Sequence, residues 1–166
     1  RVRRYAHIGT GNFHEKTAGV YEDLSLLTAH SDLTKEVAKI FDFFESSFER
    51  KQYKLLFVSP FTNRRRFMNL INEEMKRAKA GKEAWIRLKL NNLVDTGMID
   101  KLYRASAAGV RIQLVVRGIC ALKAGVPGLS DNIEVRSVVG RYLEHSRFAV
   151  FAGGGDTQVY LSSADW

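Results

Sequence analysis

Trp85-Ile-Arg-Leu-Lys-Leu90 and Arg111-Ile-Gln-Leu-Val-Val116 are short runs in which large apolar residues alternate or cluster. Between them lies a helical stretch from about Met98 to Ala108, with Thr96 before it and Gly109 after it. Strand, helix, strand in this order is the signature of a parallel sheet joined by right-handed crossovers. The pattern extends upstream. A helix is predicted from about Arg64 to Ala80, with Phe67, Ile71, Met75 and Ala78 as its inner stripe, Asn63 as N-cap and Gly81 just past its end. Before it, Leu55-Leu-Phe-Val58 reads as another strand. Further strands are expected at Ile133–Val138, Arg147–Phe151 and Gln158–Leu161. An earlier helix runs from about Leu33 to Phe48, its apolar face made by Leu33, Val37, Ile40, Phe41, Phe44 and Phe48. Ser31 and Asp32 supply its N-cap chemistry, and His30 is given no role. The expected fold is α/β, a mixed and largely parallel sheet flanked by helices.

Ligands of such sheets bind beyond the carboxyl ends of the strands. The predicted strands end at Ser59-Pro60, at Lys89-Leu-Asn-Asn92 and at Arg117-Gly118. Two of these three ends carry a fixed cation. Arg offers a planar fork for phosphate oxygens and Lys a point charge, so the pair favours an anion site over two unrelated surface cations. The whole chain agrees: 166 residues with a net charge of +8 fit an anionic partner, whether nucleic acid, an acidic membrane surface or a phosphate-bearing small molecule. The runs Arg1–Arg4 and Arg64-Arg-Arg66 invite the nucleic-acid reading, although the second opens a helix and reads better as a solvated face. With 45% hydrophobic residues the chain can bury a core, and it has no apolar run able to span a bilayer. A single cysteine, Cys120, excludes an internal disulfide, fits a reducing compartment and reads as a small buried residue.

Of four histidines, His145 stands apart. It lies in Arg141-Tyr-Leu-Glu-His-Ser-Arg147, at the mouth of the strand Phe148-Ala-Val-Phe151, with cations on both sides. An imidazole ordinarily titrates near ~6.5, which suits proton exchange with a leaving or attacking group. A later strand ends in Tyr160-Leu-Ser-Ser-Ala-Asp165. At the amino terminus, Val2–Ile8 reads as a strand and Gly9-Thr-Gly-Asn12 as a turn whose N–H groups face an anion. His14 is expected in an exposed loop. His7, close to the turn, is either directed into a site or a satisfied structural histidine.

His-x-Arg, a strand, and a Ser-Ser-x-Asp turn resemble a relaxed form of the phospholipase D superfamily signature, in which two facing motifs each supply a histidine. The finer resemblance is to the carboxyl-terminal catalytic part of the polyphosphate kinase family. It is carried by Tyr5-Ala-His-Ile-Gly-Thr-Gly-Asn-Phe13, Thr17-Ala-Gly-Val-Tyr-Glu-Asp23, Leu88-Lys-Leu-Asn-Asn-Leu-Val-Asp95, Leu102-Tyr-Arg-Ala-Ser106, Val116-Arg-Gly-Ile-Cys120, Arg141–Arg147 and Ser162–Trp166. The resemblance implies reversible transfer of the terminal phosphate of ATP to inorganic polyphosphate, through a phosphohistidine and with Mg2+. It makes His145 the acid/base histidine, Tyr21 the nucleotide-binding tyrosine and Arg117 the phosphate-binding arginine. Lys89, Asn12 and Arg147 are further candidates for phosphate, and His7 for catalysis. Tyr21 could stack on adenine, bond a phosphate or pack in the core.

Residues 1–20 are then expected to close a first motif whose phosphorylated histidine lies upstream of Arg1. Residues 21–166 are expected to form the second catalytic domain, cut short at its carboxyl end. The family's metal-associated arginines also lie upstream, so no metal ligand is expected within the chain, which alone should be inactive. The intact enzyme is expected to be a cytoplasmic homo-oligomer, with peripheral membrane association open and no nucleic-acid partner. Two other readings remain. A phosphodiesterase or nuclease of the same superfamily shares the histidine pair, but usually has Lys where this chain has Arg147. A non-catalytic nucleic-acid-binding domain would use the +8 charge but leaves His145 and Arg117 unexplained.

Overall fold

The computed structural model of the chain describes residues 3–46 and 51–166. Arg1 and Val2, and Phe48 of the first predicted helix, lie outside the described residues. In chain order the elements are β1 (Ala6–Gly9), α1 (Glu15–Ala18), β2 (Tyr21–Glu22), β3 (Ser25–Thr28), α2 (Ser31–Glu45) and α3 (Asn63–Lys79). They continue with β4 (Trp85–Leu90), α4 (Thr96–Ala107), β5 (Arg111–Val116) and β6 (Ile133–Arg136). β7 (Leu143–Glu144), β8 (Arg147–Phe151), a 3-10 turn at Gly153–Gly155 and β9 (Gln158–Ser162) complete them. The chain divides into two compact units, Arg1–Ile8 with Ser25–Arg66 and Gly9–Leu24 with Phe67–Trp166.

In the first unit β1 pairs with β3. Leu55–Val58 forms no strand, contrary to its composition. Its backbone is satisfied by side chains instead of a ladder. The Glu36 carboxylate accepts N–H groups from Lys54 (2.6 Å), Leu55 (2.9 Å) and Leu56 (2.8 Å). The Arg66 guanidinium donates to the carbonyls of Tyr53, Lys54 and Leu56 and lies over the Phe57 ring. Arg66 is thus a structural residue, neither a nucleic-acid contact nor part of a solvated face. The same contacts turn α2 away from its expected orientation: Thr34 and Glu36 are buried, whereas Phe41 and Phe44 are 64% and 74% exposed. The N-cap of α2 is His30, whose Nδ1 accepts from the Leu33 N–H, while Ser31 and Asp32 already lie inside the helix.

Burial pushes the Glu36 carboxyl up, but the three N–H donors outweigh it and hold the group below its usual value of 4.5. A carboxylate lowered in this way stabilises the fold above its unfolded pKa, and the contribution is lost as pH falls through the folded value. Glu36→Ala orphans three donors, and urea unfolding at neutral pH is expected to show a loss of about 1–3 kcal/mol. The difference from wild type should shrink on acidification below about pH 4.5.

The second unit is built on a five-stranded sheet of order β6-β5-β4-β8-β9. β4, β5 and β6 are parallel, with Trp85 opposite Arg111 and Ile112 opposite Ile133. β8 runs antiparallel to β4, and β9 antiparallel to β8. Ile86, Leu88 and Leu90 of β4, Ile112, Leu114 and Val116 of β5, and Phe151 of β8 are buried on one face. Phe67 of α3 packs on that core, with ring centroids 6.3 Å from Phe151 and 5.0 Å from Trp166. α4 adds Met98, Ile99, Leu102 and Ala105, and is capped by the Asp95 carboxylate accepting from the Met98 N–H. The expected mixed α/β sheet with helices is found, although it is parallel only across β6-β5-β4 and antiparallel where β8 and β9 join it. Among the described residues no helix is long and apolar enough to cross a membrane.

Candidate functional site

β2 and β7 form a separate two-stranded parallel pair, with Tyr21 opposite Leu143 and Glu22 opposite Glu144. Just past β7, the Glu22 carbonyl accepts the N–H of both His145 (3.1 Å) and Ser146 (2.9 Å). This pairing brings His145, which leads into β8, beside Asp23, which follows β2. His145 is 8% exposed, and its Nδ1 lies 2.9 Å and 3.1 Å from the two Asp23 carboxylate oxygens. A carboxylate only accepts, so Nδ1 carries a proton directed at Asp23. Nε2 faces the Arg147 Nη2 at 3.4 Å. The Tyr21 ring lies 4.8 Å from the imidazole, centroid to centroid.

Asp23 is itself fixed from the turn after β1. The Thr10 hydroxyl donates to its Oδ1 at 2.7 Å and accepts the Leu24 N–H at 3.0 Å, while the Thr10 N–H donates to the Leu24 carbonyl at 3.0 Å. A Cβ on Gly11 would stand 2.3 Å from Asp23 Oδ2, so glycine is the residue that lets the turn approach. The anion against this turn is therefore the protein's own carboxylate. Asn12 is exposed and its side chain makes no hydrogen bond among the described residues.

The carboxyl ends of β4 and β5 form the other side of the network. Asp165, after β9, accepts from the Asn91 N–H (2.8 Å), the Asn92 amide (3.4 Å) and Arg147 Nε (3.2 Å). Arg147 also donates to the carbonyls of Thr10 (3.1 Å) and His145 (3.0 Å). Its fork is occupied by the protein. Arg117, just past β5, differs: its Nε donates to Asn91 Oδ1 at 2.9 Å, and its terminal nitrogens have no partner among the described residues. They border a cleft of about 290 Å³ formed with Val138–Glu144. The Asn92 side chain and Asn91 carbonyl crowd Gly118, where a Cβ would meet them at 2.5 and 2.8 Å. Lys89 is half-hidden and paired with Glu144 at 2.6 Å.

The sequence-derived candidates are therefore separated by the structure. His145, Tyr21, Arg147, Arg117, Lys89 and Asn12 belong to the second unit, and His7 lies on β1 in the first. His14 caps α1 and is exposed. Asp23, Thr10 and Asn91 are organising residues that no local pattern singled out, whereas Asp165 is the carboxylate of the Ser-Ser-x-Asp turn. Among the described residues no group of three or more His, Cys, Asp or Glu is gathered as a metal site. Asp23 and Asp165 are already taken by protein donors, so the residues present do not fit a magnesium ion.

A mixed α/β sheet with a carboxylate-oriented histidine at its strand ends has the architecture expected of a phospholipase D-like domain. Family comparison narrows this: the family model "Polyphosphate kinase C-terminal domain 2" matches residues 56–166, and "Polyphosphate kinase C-terminal domain 1" matches residues 1–50. The chain belongs to the polyphosphate kinase family. It is 55% identical over 165 residues to the polyphosphate kinase of Yersinia pestis, covering 99% of this chain and 24% of the relative. With the polyphosphate kinase of Vibrio cholerae it shares 53% identity, covering 98% of this chain and 23% of the relative. The crystal structure of polyphosphate kinase from Porphyromonas gingivalis is similar with a TM-score of 0.93 at 42% identity, covering 99% of this chain and 27% of that one. The chain thus spans about a quarter of the length of the curated relatives it matches.

Proposed function

We propose that this chain supplies the acid/base half of a site for reversible transfer of the terminal phosphate of ATP to inorganic polyphosphate. The observation that carries the reading is the His145–Asp23 pair at the strand ends, with the unpaired fork of Arg117 joined to the same hydrogen-bonded network. Phosphoryl transfer asks the protein for positioning and charge stabilisation more than for covalent chemistry. Nε2 of His145 is the atom that takes a proton from the attacking oxygen, or returns one to the leaving oxygen. Nδ1 stays bound to Asp23 throughout. Arg117 holds equatorial phosphate oxygens, and Tyr21 lines the approach to the imidazole.

The nucleophile of the reaction is a histidine of a first motif upstream of Arg1, which would carry the phosphoryl group; residues 1–20 close that motif. ATP or ADP and polyphosphate are the partners. Magnesium in such a transfer would be held by groups outside the described residues, and no step here runs through it. His7 remains a candidate for the first-motif side. A homo-oligomeric, cytoplasmic enzyme is the setting we expect, consistent with a lone cysteine.

The test is ATP formation from ADP and polyphosphate by a polypeptide in which this sequence is flanked by the rest of the family's length. Activity supports the reading. Phosphodiester cleavage in its place would move the site to the hydrolases of the superfamily. In the same assay Arg117→Ala is expected to raise KM for polyphosphate and to lower kcat/KM by roughly 10²-fold, as loss of a charge-assisted phosphate contact should. An unchanged kcat/KM would remove Arg117 from the binding site.

A further inference from the structure

Both chain neighbours of His145 are held by one ammonium. Lys89, near the end of β4, places Nζ 2.6 Å from Glu144 Oε2 and donates to the Ser146 hydroxyl. The ion pair is secluded, with side chains 12% and 17% exposed. From the opposite side the Glu22 carbonyl takes the N–H groups of His145 and Ser146. Residues 144, 145 and 146 are therefore fixed in succession, two by Lys89 and two by Glu22. The imidazole between the Lys89 contacts is the group that must meet Asp23 at hydrogen-bonding distance. The bond from Lys89 is also the leading cause that holds the Glu144 carboxyl below the usual carboxylate range, against the opposing effect of burial.

A lysine at a strand end, read from sequence, is a phosphate ligand. With two of its three donors engaged by Glu144 and Ser146, this one has a different task. We propose that Lys89 is a positioning residue, which sets the orientation of His145 by clamping the residues on either side of it. The inference rests on the acid/base reading of His145, and a small displacement of such a group is costly: about 1 Å lowers a rate by ~10²-fold.

Two measurements test it. The first needs no turnover: NMR of the His145 ring Nδ1–H, the proton shared with Asp23. In Lys89→Met that resonance is expected to broaden or vanish while the amide spectrum of β4 and β5 is kept, and Lys89→Arg should restore it. Should Lys89→Met fail to fold, Ser146→Ala, which removes one clamp point without changing charge, is expected to broaden the same resonance. A ring signal that survives folded Lys89→Met or Ser146→Ala unchanged overturns the proposal. The second measurement uses the flanked polypeptide in ATP formation. Lys89→Met is expected to lower kcat by about tenfold or more with KM for polyphosphate nearly unchanged. A raised KM at constant kcat would make Lys89 a phosphate ligand after all. If the wild-type polypeptide forms no ATP, the proposed function fails, while the ring resonance still decides the clamp.

Discussion

In the flanked polypeptide, His145→Ala is expected to lower kcat for ATP formation by roughly 10²–10⁴-fold, the usual contribution of a positioned general acid or base. The loss should fall on kcat and kcat/KM together, because proton transfer matters in the transition state and little in binding. The fold should hold, since the sheet core built on Ile86, Leu88, Ile112 and Leu114 does not include the imidazole. Circular dichroism and the urea midpoint are the controls. Activity that survives the substitution, in a folded protein, would leave the family assignment intact and remove His145 from the chemistry.

Asp23→Asn is expected to approach the same loss with even less structural change. An asparagine can still accept the Thr10 hydroxyl bond, made at 2.7 Å in the present structure. What changes is the tautomer. The amide NH₂ would donate to Nδ1, the proton would move to Nε2, and the lone pair would be absent from the atom proposed to exchange the proton. The double variant with His145→Ala should be no slower than His145→Ala alone, because both remove one function. Additive losses would show that Asp23 acts elsewhere, and an Asp23→Asn enzyme as fast as wild type would end the orienting role.

Much of the fold was legible because periodicity and burial coincide. In β4 and β5 alternate residues are buried, and the runs quoted from the sequence are the strands observed, residue for residue. α3 and α4 fall within two residues of their expected starts and ends. Leu55–Val58 shows where composition misleads. Four apolar residues can be a strand only if a neighbouring strand accepts their hydrogen bonds, and here Glu36 and Arg66 accept and donate first. Such competition arises from side chains distant in sequence and leaves no local signature. Asp23 escaped notice for the same reason, lying 122 positions from the histidine it orients. His145 and Arg117 were singled out because ligands meet a parallel sheet at its strand ends, and the structure places both at strand ends, His145 before β8 and Arg117 after β5. Lys89 sits at the same kind of place, but its partner Glu144 comes from a strand of two residues that no pattern announces.

The separation between partners bears on how the protein is made. The Arg147 bond to the Thr10 carbonyl closes 137 positions of chain, and the Asp23–His145 bond nearly as many. Contacts so remote cannot reward the chain until the segments between them have been ordered, because loop closure costs entropy before it returns any bonding. The β4–β5 crossover is local and can nucleate alone, whereas the histidine and its carboxylate meet only as a closing event. On a ribosome, Asp23 emerges long before its partner exists. The pair therefore forms after the secondary structure, and a partly synthesised or partly folded molecule carries a histidine without its carboxylate.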